Sequence, residues 1–327
     1  MITALLSLSG TCQSDDPMTL HENARKFMQQ GDYANATIIL VRASEQAPFA
    51  LAIAKDLALC YYMQNDNSKA LSTLRPFIDK DNADEHSYQI AGMVYKKMSQ
   101  PKEADKIYKK ALKLFPKSGP LYNDYGDLLW AMKDYSAISQ WEKGIKEDPS
   151  FSGNYFNAAR YYYLSQDKIW SLIYGEIFIN LESHSSRTAE MKNILMDSYK
   201  KLFSSPNLLA DIKGKNPFEI AFLTGMNKQN DIVIRGLNVE TLTMVRTRFI
   251  LYWFQKEADQ FPFMLFSIQK YMLENGLFQA YNQWIFGAGQ NPGAFQNWVN
   301  THKEEYDAFN KYFQNRNAVF SGIQYYH

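Results

Sequence analysis

Residues 107–120 read IYKKALKLFPKSGP. Ile107, Ala111, Leu112 and Leu114 recur at helical spacing, so the stretch predicts an amphipathic helix. Phe115-Pro116 ends it. Proline has no amide proton to donate, and it pushes the residue before it out of helical geometry. Ser118-Gly119-Pro120 then opens a new element. The same stop recurs: Pro48 lies 68 residues before Pro116 and Pro149 lies 33 after it.

Between the prolines the small residues keep step. Ala24, Ala58, Gly92, Gly126 and Ala159 are spaced 34, 34, 34 and 33, and Ala36, Ala70, Ala104, Ala137 and Ser171 follow at 34, 34, 33 and 34. A bulky series runs in phase: Phe27, Tyr61, Tyr95, Leu129 and Tyr162. A period of this length signals a supersecondary unit that buries its apolar faces only by stacking on neighbours. Small residues belong where two helices cross, because a larger side chain would force the axes apart.

The pattern resembles the tetratricopeptide repeat, a helix–turn–helix unit. The third copy carries it most fully (Tyr88, Ala91-Gly92, Tyr95, Ala104, Tyr108, Ala111, Pro116). The fourth has Tyr122, Tyr125-Gly126, Leu129, Ala137, Trp141, Gly144 and Pro149, and the fifth Tyr155, Ala158-Ala159, Tyr162, Ser171 and Phe178. The first, about 17–50, has Gly31-Asp32-Tyr33 at its turn, and the second, 51–84, has Asn82 in place of the proline. The resemblance spans 17–183 in about five units. It implies an all-α, right-handed superhelical α-solenoid, followed by further irregular helices.

Residues 184–327 also read as helical. Asn216-Pro217-Phe218-Glu219 combines a cap, a first-turn proline and a glutamate three after the cap. Asn238 starts a second helix, Phe263–Glu274 forms a third closed by Asn275-Gly276, and Phe295 to about Asn315 forms a last one. That last helix, expected to cap the array, places Phe295, Trp298, Val299, His302, Tyr306, Phe309 and Phe313 on one side, with His302 expected to be a satisfied core residue. DYSAISQWEKGIKEDP (134–149) aligns without gaps to LFQAYNQWIFGAGQNP (277–292), matching Ala137 to Ala280, Trp141 to Trp284 and Pro149 to Pro292. About 260–293 is therefore expected to be a degenerate repeat, with a chance likeness of two amphipathic helices as the alternative.

Charges nearly cancel at +1, giving no nucleic-acid footprint. Two cysteines exclude a disulfide framework, and Cys60, in an apolar run, reads as core. No run of about 18 apolar residues predicts a membrane span. Ile2–Leu8, followed by Ser9-Gly10-Thr11-Cys12, has the look of a truncated signal peptide over 1–12. It points to a periplasmic or secreted, envelope-associated protein. A frayed terminus and a cytoplasmic protein are the alternative.

Neither a nucleotide-binding loop, nor a serine-hydrolase elbow, nor a metal-ligand spacing occurs, and the five histidines are scattered. No enzyme, cofactor or metal is expected. The resemblance instead implies a non-enzymatic interaction protein whose first helices line a groove for a peptide or helix of a partner protein. Its groove positions fall on Lys55, Leu59 and Tyr62; His86, Gln89, Met93 and Lys96; Asn123, Asp127 and Trp130; and Phe156, Arg160 and Tyr163. Lys55 matches a carboxylate-clamp position, but Leu59 stands where that clamp has asparagine. Ordinary surface or inter-helix packing is the alternative at each position. A second reading has Trp130, Phe156 and Tyr163 stacking on sugar rings; a third puts an active site within 184–327.

Overall fold

The computed structural model describes residues 16–165, 167–210, 212–234, 236–316 and 318–327. The signal-like segment 1–12 and Cys12 lie outside them. No strand occurs among the described residues. Ten helices form five successive pairs: α1 Pro17–Gln29 with α2 Tyr33–Gln46, α3 Leu51–Met63 with α4 Asn67–Ile78, α5 Glu85–Lys97 with α6 Pro101–Leu114, α7 Gly119–Ala131 with α8 Ala137–Glu147, and α9 Ser152–Leu164 with α10 Ile169–Leu181. Then come α11 Ser186–Leu202, α12 Pro217–Asn227, α13 Asn230–Val233, α14 Val239–Lys256, α15 Met264–Glu274 and α16 Phe278–Asn282. A π-helical turn Gln283–Gly287 leads to α17 Ala288–Gln290, α18 Pro292–Thr301 and α19 Lys303–Asn315.

The proline stops act as the sequence predicts. Ala47, Phe115 and Asp148, each before a proline, have left helical geometry at φ −131°, −124° and −135°. The turn inside each pair repeats too. Gly31, Asn65, Ser99 and Lys133, 34 residues apart, all take positive φ, between 57° and 76°. The residue after each donates its amide to the carbonyl of Phe27, Tyr61, Tyr95 or Leu129, at 2.9 Å in all four turns. That is a Schellman closure, and the bulky series supplies its acceptors. Gly276 (φ 70°) closes α15 in the same way, with Leu277 donating to Met272 at 2.8 Å. It sits where the 143-residue offset of the two aligned segments places Lys133.

The small-residue series is explained by what faces it. A Cβ on Gly92 would lie 2.3 Å from the Tyr108 ring, and one on Gly126 would lie 2.3 Å from Trp141. Where the second helix offers Leu40 or Leu74 at the same step, the first helix has Ala24 or Ala58, and all four are buried. The crossing is a size match, glycine against a ring and alanine against leucine.

The chain forms two compact units, one ending at Phe115 and one running from Pro116 to His327. The second begins inside the repeats, whereas the sequence suggested a boundary at 183/184. The reason is α10, buried from Ile169 to Asn180. Its Glu176 accepts hydrogen bonds from Arg246 of α14, from Gln269 Nε2 of α15 at 2.6 Å and from the Tyr281 hydroxyl of α16 at 2.9 Å. Asn180 Nδ2 also donates to the Tyr281 hydroxyl, at 2.8 Å. Arg246 additionally reaches Asn282 and lies against the rings of Phe278, Tyr281 and Phe286. Burial would lower the Arg246 pKa, but Glu176 beside it holds it above the ordinary value, so the guanidinium stays charged.

Two expectations fail beyond residue 290. The helix over 295–315 is two helices, α18 and α19, broken at His302 (φ −123°, ψ 37°). His302 is exposed, its ring stacked on Trp298 at 4.6 Å, so it is no core residue. Only Phe309 and Phe313 of this segment are buried, against Tyr281 and Trp284. A run of apolar residues on one face did not reveal the break because nothing in it stops a helix outright.

Candidate partner-binding faces

In the first unit, the first helices of successive pairs are tied by polar rungs. His21 of α1 bonds Asp56 of α3 at 2.8 Å, and Lys55 of α3 meets Asp84, the cap of α5, at 2.5 Å. Burial alone would raise the Asp84 pKa, but hydrogen bonds from Lys55 and Ser87 hold it below the ordinary value. Lys55 is therefore committed to a neighbouring helix, and Leu59 beside it is half-buried. Tyr62 carries the Lys97 ammonium 4.4 Å above its ring. His86 and Lys96 are exposed, while Gln89 and Met93 are half-buried.

The second unit repeats this arrangement. Asn157 of α9 donates to Asn123 Oδ1 at 2.9 Å and Asp127 Oδ1 at 2.8 Å, both on α7. Arg160 pairs with Glu190 of α11 at 3.1 Å, its side chain still 52% exposed. The Tyr163 hydroxyl donates to Asp197 at 3.3 Å, and the Lys201 ammonium sits 3.6 Å above its ring. Each rung joins residues 30 to 34 apart in sequence. Asn157, Glu190 and Asp197 were not singled out by sequence, although Asn157 lies one period after Asn123.

Phe156 corrects the sequence reading. It is only 6% exposed, packs on Phe178 at 5.0 Å and is flanked by the Arg160 and Arg187 guanidiniums. It belongs to the α9–α10 core, because its position faces the second helix. With Tyr163 covered by Lys201, only Trp130 of the three proposed sugar-stacking rings stays open.

Trp130, on the last turn of α7, is 38% exposed. Its ring lies 5.9 Å from Tyr135, 6.1 Å from Trp141 and 5.9 Å from Tyr161. Tyr135 is exposed and Trp141 is buried beneath, its indole donating to the Asn123 carbonyl at 3.3 Å. The result is an aromatic platform on a rigid base, one first helix away from Arg160 on α9.

No helix among the described residues is long and apolar enough to cross a membrane. No group of three or more histidine, cysteine, aspartate or glutamate side chains among them could hold a metal.

Paired antiparallel helices closed by a shared turn at a 34-residue step define a helical-repeat protein. Residues 85–118, which are α5 and α6 with their flanking turns, match the tetratricopeptide repeat family. The chain carries a tetratricopeptide repeat there. Such repeats typically mediate protein–protein interactions, and the family is generally non-enzymatic. Among solved structures, a thermophilic TPR protein of Thermus thermophilus is similar at 12% identity, covering 55% of this chain and 99% of that one with a TM-score of 0.46. Pseudomonas aeruginosa pilF is similar at 15% identity, 61% and 93% coverage and a TM-score of 0.48. A tetratricopeptide repeat protein from Parabacteroides merdae is similar at 15% identity, 74% and 92% coverage and a TM-score of 0.44. No curated protein matches the chain.

Proposed function

We propose that this protein is a non-enzymatic scaffold that holds a segment of a partner protein against the first-helix face of its second unit. The observation that carries this reading is the Trp130 platform. A tryptophan held by three rings and still partly open to solvent is the residue type and setting in which binding energy concentrates. Arg160 adds a guanidinium able to meet a carboxylate, since its bond to Glu190 leaves half of the side chain in solvent. Asn123 and Asp127 serve as rungs that set the spacing of α7 and α9, and Lys55 does the same in the first unit. Envelope placement is part of the proposal and rests on Ile2–Leu8 alone.

Trp130→Ala is expected to weaken partner binding by about 2 kcal/mol or more, roughly thirty-fold, while leaving the fold intact. Affinity capture with the native chain and with Trp130→Ala, each checked by circular dichroism, provides the measurement. A partner held equally by both chains would remove the platform from the binding site.

A further inference from the structure

Residues 320–327 cross the second unit as an extended run with one 3-10 turn, Gly322–Gln324. Anchors hold it at intervals. Phe320 is buried. Gly322 passes so close to the end of α8 that a Cβ would come 2.2 Å from the Lys146 carbonyl oxygen. Gln324 Oε1 accepts from the Met264 amide at 2.8 Å. The Tyr326 ring stacks on Phe218 at 4.6 Å, its carbonyl accepts from Asn216 Nδ2 at 2.7 Å, and its hydroxyl donates to the Pro262 carbonyl at 2.8 Å. His327 lies 3.1 Å from Glu142, 2.9 Å from the Tyr162 hydroxyl and edge-on to Trp170 at 4.7 Å.

Between these anchors Ser321 and Ile323 face solvent. Ile323 is 90% exposed, and the segment's own backbone bonds are confined to its single turn. Phe320 and Tyr326 packed against core side chains, with Ile323 between them in solvent, match the way a folded surface holds an extended peptide by alternate side chains. The surface is built by α8, α9, α10, α12 and the stretch 261–264 that leads into α15.

We infer that this surface is a peptide-binding site separate from the Trp130 platform, that its ligand class is an extended peptide carrying Tyr-Tyr-His, and that residues 320–327 occupy it reversibly in cis. The groups facing His327 are Glu142 on α8, Tyr162 on α9, Asp167 before α10, Tyr174 on α10, Glu219 on α12 and Tyr325 of the segment itself. Lys215 nearby is engaged by Asp167 and Glu219. The three tyrosine hydroxyls are raised above their ordinary range by burial and stay protonated. Burial pulls the His327 pKa down, but the hydrogen bond and charge of Glu142, with Glu219 and Asp167, raise it above its ordinary value. Docking therefore favours the proton. Its contribution is full below the ordinary histidine range, about pH 6.5, and is lost as pH rises through the raised value.

The test uses the full chain, its Gly322→Ala and Tyr326→Ala variants, and a fluorescein-labelled peptide of sequence FSGIQYYH. In both variants, hydrogen exchange across 320–327 is expected to rise while α8–α10 stay protected. The labelled peptide is expected to bind each variant saturably and about ten-fold or more tighter than the native chain, whose site is already occupied, and tighter at pH 6 than at pH 8. The inference is overturned if 320–327 stays protected in both variants. It is equally overturned if the segment is released without a peptide site appearing, if native and variant chains bind the peptide alike, or if release unfolds the unit and so makes the segment part of its core.

Discussion

Arg246→Met is expected to destabilise the second unit by about 3–5 kcal/mol, because it strips the charged partner from a buried carboxylate. Glu176 would keep Gln269 and Tyr281 but lose its cation, and Asn282 would lose its donor. The loss is easy to read. All six tryptophans lie in the second unit, at 130, 141, 170, 253, 284 and 298, so intrinsic tryptophan fluorescence during denaturation follows that unit alone. A Glu176→Leu/Arg246→Met double variant is expected to be less destabilised than the two single changes add to, since no lone buried charge remains. A change below about 1 kcal/mol for Arg246→Met would mean that α14 does not depend on this pair.

The second large effect concerns the helix crossing in the fourth pair. Gly126→Ala gains about 1 kcal/mol of helix propensity but drives a methyl into the Trp141 ring. Overpacking of a buried ring costs about 1–3 kcal/mol, so a net loss of up to about 2 kcal/mol is expected. The sign should reverse in a Trp141→Leu background, which reproduces the Ala24/Leu40 and Ala58/Leu74 crossings. There Gly126→Ala is expected to stabilise by about 1 kcal/mol. Thermal denaturation of the four chains in the cycle measures the coupling. Additive effects would show that glycine stands at 126 for a reason other than the ring.

These two sites also mark what could be read from the residues. The crossing at Gly126 was legible because a size restriction leaves a mark at every period. The caps at Asn216 and Asn238 were legible because a cap is a local hydrogen bond between near neighbours; both form with the bonded residue three positions on. The turn was half legible. Gly31 announces a positive φ, but Asn65, Ser99 and Lys133 adopt the same angle without glycine, because the Schellman bonds around them offset the strain. The Glu176 network went unread, although a lone glutamate and Asn180 inside the otherwise apolar IWSLIYGEIFIN signal buried polar partners. Its partners lie 70 to 105 residues away, beyond any local pattern. Sequence placed Trp130, Arg160 and Tyr163 on first helices of their pairs, where α7 and α9 carry them. It could not tell that Phe156 turns inward, since one position on a helix decides between core and surface.

The binding reading turns on whether a partner touches Trp130. The most direct measurement places a photoreactive phenylalanine analogue at 130, at 160 and, as controls on exposed positions elsewhere, at 234 and 251, and irradiates the protein in its own cells. Positions 130 and 160 are expected to trap the same protein, and 234 and 251 are not. Trapping at the control positions alone, or of the same proteins from all four, would contradict a partner held on the first-helix face.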